Sequence, residues 1–489
     1  MRIKLDSVSK FLNGIMILIF VSLITLGLFL GSTQSTDHLS ALVYGILFFG
    51  AFFLLKPYII GFAEKFGEVK CLVSLSVICF TVKLIWVLFI RVVPVSDYGV
   101  FFNYAQDLAN DWDANNRYVA LFPHIFGYSS FLSIFFKLLI PKFYIATGLN
   151  VVLSVISGIL IFAIAKRLID LRAAVTAYLF WILCPSQTMY NSLILSDLLY
   201  TTFILLFVYI VTEINAKDYK SGKKTIIKMA LAGLFSGLLL RAINACRPIA
   251  AIFVIALFIW IFVLCTKHLK SKSFRNTWVP FICTLCAVYF LTGPLWNAYM
   301  TARIGEQPAS VPGYNIYVGF NTKAKGMWNA EDRDLLTYYN EQEGATAQWA
   351  QEQMFEEAKD RIFSGDINFT KLFREKIKIF LGADNACVWY MNTYLEDTKS
   401  LAILCNAFYY MLLLQCVIGI AGVFNKYNKS TVSILILYVL GLTIAQMLVE
   451  VAPRYHYSIL PFIILLGQTV LYGEKNLKYK FLITDEAKG

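Results

Sequence analysis

The chain carries few charged residues for its length. Asp, Glu, Lys and Arg together make up 15% of its 489 residues, whereas about a quarter is usual in soluble proteins. In place of charge, 58% of the residues are hydrophobic and the mean hydropathy is +0.64. Apolar runs recur along the whole sequence, and each is long enough to cross a bilayer as a helix. The deficit of charge excludes a wholly soluble protein, and the apolar runs predict a polytopic membrane protein.

Motifs for nucleotide and metal binding are missing as well. No segment resembles a Walker loop or a dinucleotide fingerprint, no internal repeat is visible, and the cysteines do not supply the paired CxxC motifs of a metal site. Five cysteines lie inside apolar runs and are interpreted as small core residues, namely Cys71, Cys79, Cys265, Cys283 and Cys286. Cys184, Cys246 and Cys387 are expected near the outer face, and the sequence does not decide whether any of them form a disulfide.

Lysine and arginine exceed the acidic residues, which gives a formal net charge of +12. The excess lies in short loops between apolar runs: AKR at 165–167, KDYKSGKK at 217–224, KHLKSKSFR at 267–275 and EKNLKYK at 474–480. Loops rich in Lys and Arg stay on the cytoplasmic side of a membrane. The pattern therefore predicts the orientation of a multi-pass cell-membrane protein, and it gives no support to a nucleic-acid partner.

The apolar runs predict twelve membrane-spanning helices. We place them near residues 11–31, 41–62, 71–93, 146–168, 172–190, 194–214, 226–245, 248–266, 277–298, 400–424, 431–450 and 456–473. The first apolar run is too long for a signal-peptide core and lacks a small-residue cleavage site, so it is expected to stay as an anchor. A further apolar stretch at 124–140 would put the basic loops outside if it crossed, so we expect it to lie in the outer interface. Both termini are then cytoplasmic.

The predicted fold is an all-α polytopic membrane protein, with about twelve transmembrane helices, outer-face interfacial helices and a small extracytoplasmic loop domain. We divide the chain into an N-terminal two-span extension (1–70) and a transmembrane core (71–298) that includes the outer loop 94–145. An extracytoplasmic loop region (299–399) follows, and the last helices with a cytoplasmic tail (400–489) complete the division. Within the loop region, the first part is expected to be loop-like because of its Gly and Pro residues, and the stretch from Asp334 to Arg361 is expected to be more helical.

An acidic residue follows directly after the third span, in the segment PVSDYGVFFNYAQDLAND. From Tyr98 onward, apolar residues recur at helical spacing and predict an amphipathic helix on the outer surface: Tyr98, Phe101, Phe102, Ala105, Leu108 and Ala109. Asp97 at its start suits two interpretations, an N-terminal helix cap or a chemical role, and the sequence does not choose between them.

Four further charged positions are expected on the same face. Asp197 lies near the outer end of the sixth span, either as a first-turn acid or as a functional group. Arg241 and Arg247 flank the turn after the seventh span, and Arg454 lies in the last outer turn. Arg presents a planar fork that suits phosphate, although each of these could instead pair with a carboxylate or reach lipid headgroups.

The segment YNIYVGFNTKAKGMWNAED lies in the second long outer region. Its aromatic residues alternate with amides and lysine, which favours a substrate-binding loop over a plain interfacial loop with aromatic anchors. The candidate binding residues are Asn315, Tyr317, Asn321, Lys323 and Trp328.

The order of these segments resembles that of a known superfamily. The Asp-containing helix is followed by FPHIFGYSSFLSIFFKLL, PSQTMYNSLILSDLLYTTF, GLLLRAINACRPIA and EVAPRYHYSILPF. Over roughly residues 85–460, the pattern is similar to the GT-C membrane glycosyltransferases, in particular to bacterial relatives of protein O-mannosyltransferases and aminoarabinose transferases. The resemblance implies transfer of a sugar from a polyprenyl-phosphate donor to an extracytoplasmic acceptor.

The resemblance also implies residue roles. The catalytic acid of the first large outer loop matches Asp97, the acid at the outer end of a later span matches Asp197, and the Arg-Pro motif matches Arg247 and Pro248. Many relatives carry a second acid beside the first, where this chain has Tyr98, and this chain also has two additional spans before the Asp loop.

A phosphate-linked sugar already carries a good leaving group, so one carboxylate can act as general base in an inverting in-line attack. Our hypothesis assigns this role to Asp97 and assigns the donor phosphate to Arg247 and Arg454, with His456 and Arg241 as further candidates. Asp197 could orient the acceptor, pair with an Arg or help to hold a divalent metal such as Mg²⁺ or Mn²⁺. No cofactor is certain, and the sequence does not choose among these roles.

Three alternatives stay open. A flippase or transporter for lipid-linked sugars would be expected to show inverted repeats and polar residues at mid-membrane. A polysaccharide polymerase or ligase would share the leaving group but use an oligosaccharide-lipid donor. A scaffold protein would tolerate replacement of Asp97. The identity of the sugar and of the acceptor, whether protein, teichoic acid, lipid or surface polysaccharide, is not set by the sequence.

Overall fold

A computed structural model of the chain describes residues 5–110, 114–217, 219–265, 269, 271–422 and 432–472. Within these residues the chain forms α-helices and short 3-10 and π segments, without β-strands. Eight helices are long and apolar enough to cross a bilayer, and three shorter apolar helices accompany them. The protein is a polytopic helical membrane protein, as its apolar runs predict. The predicted cytoplasmic C-terminal tail lies outside the described residues.

Nineteen α-helices are present in the described ranges. In chain order they are α1 (Leu5–Ser32), α2 (Thr36–Phe89), α3 (Asp97–Ala109), α4 (Arg117–Leu121), α5 (His124–Leu138), α6 (Phe143–Leu168), α7 (Leu171–Leu183), α8 (Pro185–Met189), α9 (Asp197–Ala216), α10 (Lys223–Cys246), α11 (Ala250–Phe258), α12 (Lys272–Ile304), α13 (Gly313–Gly319), α14 (Ala330–Asn340), α15 (Ala347–Phe363), α16 (Phe369–Leu381), α17 (Thr398–Gly422), α18 (Val432–Leu448) and α19 (Leu460–Tyr472).

Helix α2 accounts for two of the predicted spans. Its 54 residues would measure about 80 Å if straight, well beyond the ~30 Å of a hydrocarbon core. The helix is interrupted at Gly67, whose φ of 67° and ψ of −178° are not helical. Glycine adopts positive φ at little cost, so the chain can reverse there. The two parts of α2 match the predicted spans 41–62 and 71–93.

Three predicted spans are not single regular helices. The span at 172–190 consists of α7, which ends at Leu183, and the short α8. Cys184 is extended (φ −64°, ψ 114°) because the residue before a proline, here Pro185, is kept out of the α region. The span at 248–266 changes from α11 to a π-helix at Ile259–Leu264, and the last span begins with a 3-10 segment, Pro453–Ile459.

Asp97 and the basic loops lie at opposite ends of the helix bundle. The second part of α2 runs from Gly67 toward Asp97, and Glu68 at its start pairs with Lys166 at the end of α6. Arg167 likewise pairs with Glu213 in the last turn of α9, with its Nε 2.7 Å from Oε1. We call these two ends the Asp97 end and the Lys166 end.

Helices α3, α4 and α5 cover the Asp97 end. α3 packs along α5, and its buried face differs in one place from the predicted stripe. Phe102 is partly exposed, and Tyr104 is buried and donates a hydrogen bond to Ala114 O (3.0 Å). α5 has 15 residues and packs against α3 and α10. Gly127 of α5 lies so close to Ala245 that a Cβ there would clash with its carbonyl. These contacts agree with the prediction that residues 124–140 do not form a span.

Helices α13 to α16 also lie at the Asp97 end, in the region predicted as a loop unit. The structure corrects two expectations here. The segment predicted to be loop-like contains α13, and the helical stretch expected from Asp334 to Arg361 is divided into α14 and α15. Gly344 has a φ of 73° in the connection between them, where a continuous helix cannot form. Cys184, Cys246 and Cys387, for which a disulfide was left open, are free thiols.

Candidate functional site

Five charged side chains converge at the Asp97 end, and we call them the charged cluster. They come from four parts of the chain: the first residues of α3 and α9, the residue after α10, and the turn between α18 and α19. The members are Asp97, Asp197, Arg247, Glu450 and Arg454. Four of them were predicted as site residues from separate sequence segments, and the structure brings these four together.

Asp97 does not cap its helix. It is the first residue of α3, and neither its carboxylate nor the Ser96 hydroxyl bonds to a backbone N–H of the first turn. Instead, Asp97 Oδ2 lies 2.6 Å from Nη2 of Arg454. The Asp97 side chain is 45% exposed and that of Arg454 is 19% exposed. The pair is therefore reachable by a substrate.

The residue before Asp97 has an unusual backbone. Ser96 adopts φ 53° and ψ −133°, a conformation that costs a non-glycine residue about 1–3 kcal/mol. Strain of this kind persists only where surrounding contacts enforce it, and it is found often at functional sites. Here it accompanies the change of direction from the end of α2 into α3, which aims the Asp97 carboxylate at Arg454.

Asp197 is buried, with 1% of its surface exposed. Its Oδ1 accepts a hydrogen bond from the Tyr200 hydroxyl, one turn further along α9 (3.1 Å). Its charge also interacts with Arg247 and with Arg454. A buried carboxylate is stable only with such partners, so Asp197 contributes negative charge behind the two arginines.

The two arginines of the cluster share an aromatic neighbour. The Arg247 guanidinium carbon lies 4.0 Å from the centre of the Tyr455 ring, and that of Arg454 lies 5.7 Å from it. Nε of Arg454 is buried and has no hydrogen-bond partner within the described part of the chain. Two neighbouring guanidinium groups with donors to spare form a site suited to a phosphate.

Glu450, a member of the cluster, and the neighbouring His124 were not predicted as site residues. Burial raises the pKa of Glu450, which accepts a hydrogen bond from the Tyr455 hydroxyl (3.2 Å). Burial and then the charge of Arg247 lower the pKa of His124 to about 3, so its imidazole is neutral. Glu450 is only four residues from Arg454 in the sequence, which was the available signal. His124 lies in an apolar interfacial helix, and nothing in its sequence context marks it.

His456 and Arg241, both predicted near the donor phosphate, have other partners. His456 is 1% exposed and its Nε2 lies 3.0 Å from Oδ1 of Asp384, which also accepts a hydrogen bond from the Ser186 hydroxyl (2.5 Å). Arg241 donates to the Tyr289 carbonyl, and its guanidinium lies 4.5 Å from the centre of that ring, between α10 and α12. The structure therefore places both residues in separate contacts and not in the charged cluster.

The side chains of the predicted substrate loop mainly contact one another and residues of α14 and α15. The Tyr317 ring lies 3.3 Å from the Arg361 guanidinium carbon, and Arg361 pairs with Asp332, which also accepts from Asn321 Nδ2 (3.0 Å). Lys323 and Trp328 are exposed. Among the predicted loop residues, the backbone carbonyl of Asn315 reaches the cluster, where it accepts from the Glu450 N–H (2.7 Å).

Lys376 of α16 joins this loop to the turn that carries Glu450. Its side chain is completely buried, and its Nζ donates to three carbonyls: Gly319 O (2.9 Å), Met447 O (2.9 Å) and Val449 O (2.7 Å). The last two belong to the end of α18 and the residue after it, where carbonyls lack helical partners. The position of Lys376 in an amphipathic helix with exposed Lys and Arg residues gave no sign of this role.

A divalent metal was left open by the sequence. Among the described residues, no three His, Cys, Asp or Glu side chains come together as a metal site requires. Within the cluster, Asp97 already pairs with Arg454, and Asp197 accepts from Tyr200. Two guanidinium groups beside these carboxylates oppose the approach of a further cation. The residues present therefore do not fit a resident metal ion.

No protein-family model and no curated protein matches this chain. Among solved structures, the chain is similar to ArnT from Cupriavidus metallidurans, whose crystal structure contains bound undecaprenyl phosphate. The similarity covers 83% of this chain and 78% of that chain, at 10% sequence identity and a TM-score of 0.35. At this identity and score, no residue roles are transferred from it.

Proposed function

We propose that the protein is a membrane glycosyltransferase that moves a sugar from a polyprenyl-phosphate donor to a hydroxyl group of an extracytoplasmic acceptor. The observation that carries this proposal is the contact between Asp97 and Arg454, beside Arg247. A partly exposed carboxylate and two guanidinium groups at one point are the parts that a displacement at a sugar phosphate needs.

The proposed reaction is a single displacement at the anomeric carbon. Asp97 accepts the proton of the acceptor hydroxyl as the new carbon–oxygen bond forms. The bond between the anomeric carbon and the phosphate oxygen breaks, and the polyprenyl phosphate leaves with its negative charge. Arg247 and Arg454 stabilise that charge, and Asp197 holds them in place. The attack inverts the anomeric centre, and no metal ion takes part.

The Asp97–Arg454 contact has a consequence for the order of events. While Arg454 is bound to Asp97, its guanidinium occupies the carboxylate. A donor phosphate competes for the same guanidinium, so donor binding releases Asp97 toward the acceptor. The base is thus freed only when the leaving group is already bound.

We infer from the positive-inside rule that the site lies on the extracytoplasmic face, because Lys166 and Arg167 lie at the opposite end of the bundle. The acceptor is then a cell-surface glycan, a teichoic acid, a lipid or a protein. A transporter is less well supported, because the charged cluster lies at one end of the helices and not at mid-membrane.

The test is the replacement of Asp97 by Asn in the full-length protein, assayed with a panel of undecaprenyl-phosphate monosaccharides and acceptors. We expect transfer to fall by about 10²- to 10⁴-fold, because Asn cannot accept the proton. Asp107→Asn, in the last turns of the same helix, is the matched control and should retain transfer. Transfer at the wild-type rate by Asp97→Asn would remove Asp97 from the chemistry and refute this mechanism.

A further inference from the structure

Aromatic rings from three separate segments gather on one side of the charged cluster. Tyr118 of α4 and Phe122 have ring centroids 5.0 Å apart, and Phe122 meets Tyr314 of α13 edge to face at 5.8 Å. The fourth ring is that of Tyr455, which interacts with Tyr314 and whose hydroxyl donates a hydrogen bond to Glu450. We call these four rings and the Glu450 carboxyl the aromatic wall.

The wall lies directly beside the groups proposed to carry the chemistry. Tyr118 interacts with Asp97, with Glu450 and with Arg454. Tyr314 interacts with Glu450, Tyr118 and Tyr455. Tyr118, Tyr314 and Tyr455 all interact with Glu450, and Tyr118 and Tyr455 also interact with Asp97, so the wall and the Asp97–Arg454 pair face one common region.

One polar atom of the aromatic wall, the Tyr314 hydroxyl oxygen, indicates that a ligand binds here. The Tyr314 side chain is 4% exposed, and its hydroxyl has no hydrogen-bond partner within the described part of the chain. Buried hydroxyl groups are almost always hydrogen-bonded, so a group without a partner needs an explanation. Tyr118, by contrast, is 44% exposed and forms an open rim.

We propose that the aromatic wall binds the sugar ring of the donor, while Arg247 and Arg454 hold its phosphate. The inference rests on the proposed function and adds to it the place and chemical class of the sugar. The rings of Tyr118 and Tyr455 offer apolar faces to the ring carbons, and the Tyr314 hydroxyl and the Glu450 carboxyl form hydrogen bonds with sugar hydroxyls.

The charges of the region favour an uncharged sugar. The cluster's carboxylates are already engaged, Asp97 with Arg454, Asp197 with Tyr200 and Glu450 with Tyr455. The two guanidinium groups that border the wall therefore disfavour a cationic amino sugar. Burial raises the pKa of Glu450, so this carboxyl takes up a proton more readily than an exposed one and can then also donate to a hydroxyl. The structure thus favours a neutral hexose or pentose over an amino sugar at this position.

The experiment measures equilibrium binding of two probes to the full-length protein in lipid nanodiscs. One probe is undecaprenyl phosphate, and the other is the same lipid carrying glucose, galactose, mannose or glucosamine. Tyr314→Phe removes only the hydroxyl, and Glu450→Gln removes only the ionisable group. Tyr338→Phe, on an exposed ring of α14, is the matched control.

We expect wild type to bind at least one neutral sugar-linked lipid more tightly than undecaprenyl phosphate. Tyr314→Phe and Glu450→Gln should weaken that binding by about 3- to 10-fold and leave the affinity for undecaprenyl phosphate unchanged. Tyr338→Phe should change neither. Equal weakening of both probes, wild-type affinity of both variants, or no wild-type preference for a neutral sugar-linked lipid would each overturn the subsite.

The same measurement separates this inference from the proposed function. If Asp97→Asn retains transfer while Tyr314→Phe still loses sugar-dependent affinity, the mechanism fails and the subsite stands. If Asp97→Asn abolishes transfer but both wall variants bind the sugar-linked lipid as wild type does, the subsite fails and the mechanism stands.

Discussion

At the scale of single residues, Glu450 lowers the stability of the folded protein, and its proposed role in binding the sugar explains why it is there. Its side chain is partly buried next to Tyr455, and burial together with the negative charge of Asp97 raises its pKa. Because its pKa is raised in the folded state, the folded protein binds this proton more readily than the unfolded chain does. Its contribution to stability therefore falls as the pH rises from the unfolded pKa through the raised folded pKa.

Replacement of Glu450 by Gln should remove this cost while the hydrogen bond from Tyr455 can still form. We expect Glu450→Gln to unfold at a higher temperature than wild type at pH 8, and the difference to shrink toward pH 5. Thermal unfolding of the detergent-purified protein measures this, with the exposed Glu343→Gln as control. An unfolding temperature below that of wild type at pH 8 would contradict the assignment.

The sequence could identify those residues whose charge is energetically costly at their position. Asp97, Asp197, Arg247 and Arg454 are charged residues beside apolar runs, and their sequence positions alone mark them. Asp384 could not be found in this way, because its segment GADNA reads as an ordinary polar turn. The structural role of Asp384 is to bind Ser186 and His456, which are distant in the sequence and contact it only in the folded protein.

At the scale of elements, α16 acts as a clamp between the turn after α18 and the loop that follows α13. Its Lys376 supplies donors to three carbonyls that have no helical partner of their own. Lys376→Met should leave these carbonyls without a buried donor and destabilise the protein by about 1–3 kcal/mol. The Michaelis constant for the donor should also rise, since the clamp positions Glu450.

The matched control on the same helix is Lys371→Met. Lys371 is exposed, so its loss should change stability by no more than about 0.5 kcal/mol. Thermal unfolding and steady-state transfer assays on both variants give the comparison. Equal effects of the two replacements would show that Lys376 has no special positioning role.

The elements differ in how far their sequence could predict them. The two spans within α2 were predicted because charged residues surround Gly67, and charges mark the end of an apolar run. The break between α7 and α8 was missed because the residues around Pro185 are apolar enough to continue a span. Helix α13 was missed because its Gly and Pro residues are typical of loops, while Gly313 and Gly319 are needed for its close contacts with α15 and Val449.

At the scale of the whole molecule, the separation of the Asp97 end from the Lys166 end predicts the orientation in the membrane. A cysteine in the exposed connection between α14 and α15, Glu343→Cys, should react with a membrane-impermeant thiol reagent in intact cells. A cysteine at the exposed start of α10, Lys224→Cys, should react only after the cells are opened. Both are best made with Cys283→Ser, because Cys283 is exposed on α12. The reverse pattern would put the site in the cytoplasm.

The ion pair of Asp97 and Arg454 closes across 357 residues of chain. At a synthesis rate of about 5–20 residues per second, the ribosome needs roughly 20–70 s to deliver the second partner after the first. During that interval Asp97 and Arg247 are already in the membrane, but Arg454, the second guanidinium of the proposed phosphate site, has not been made. Under the proposed mechanism a nascent or prematurely ended chain is therefore chemically silent, and activity begins only when the last turn has been inserted.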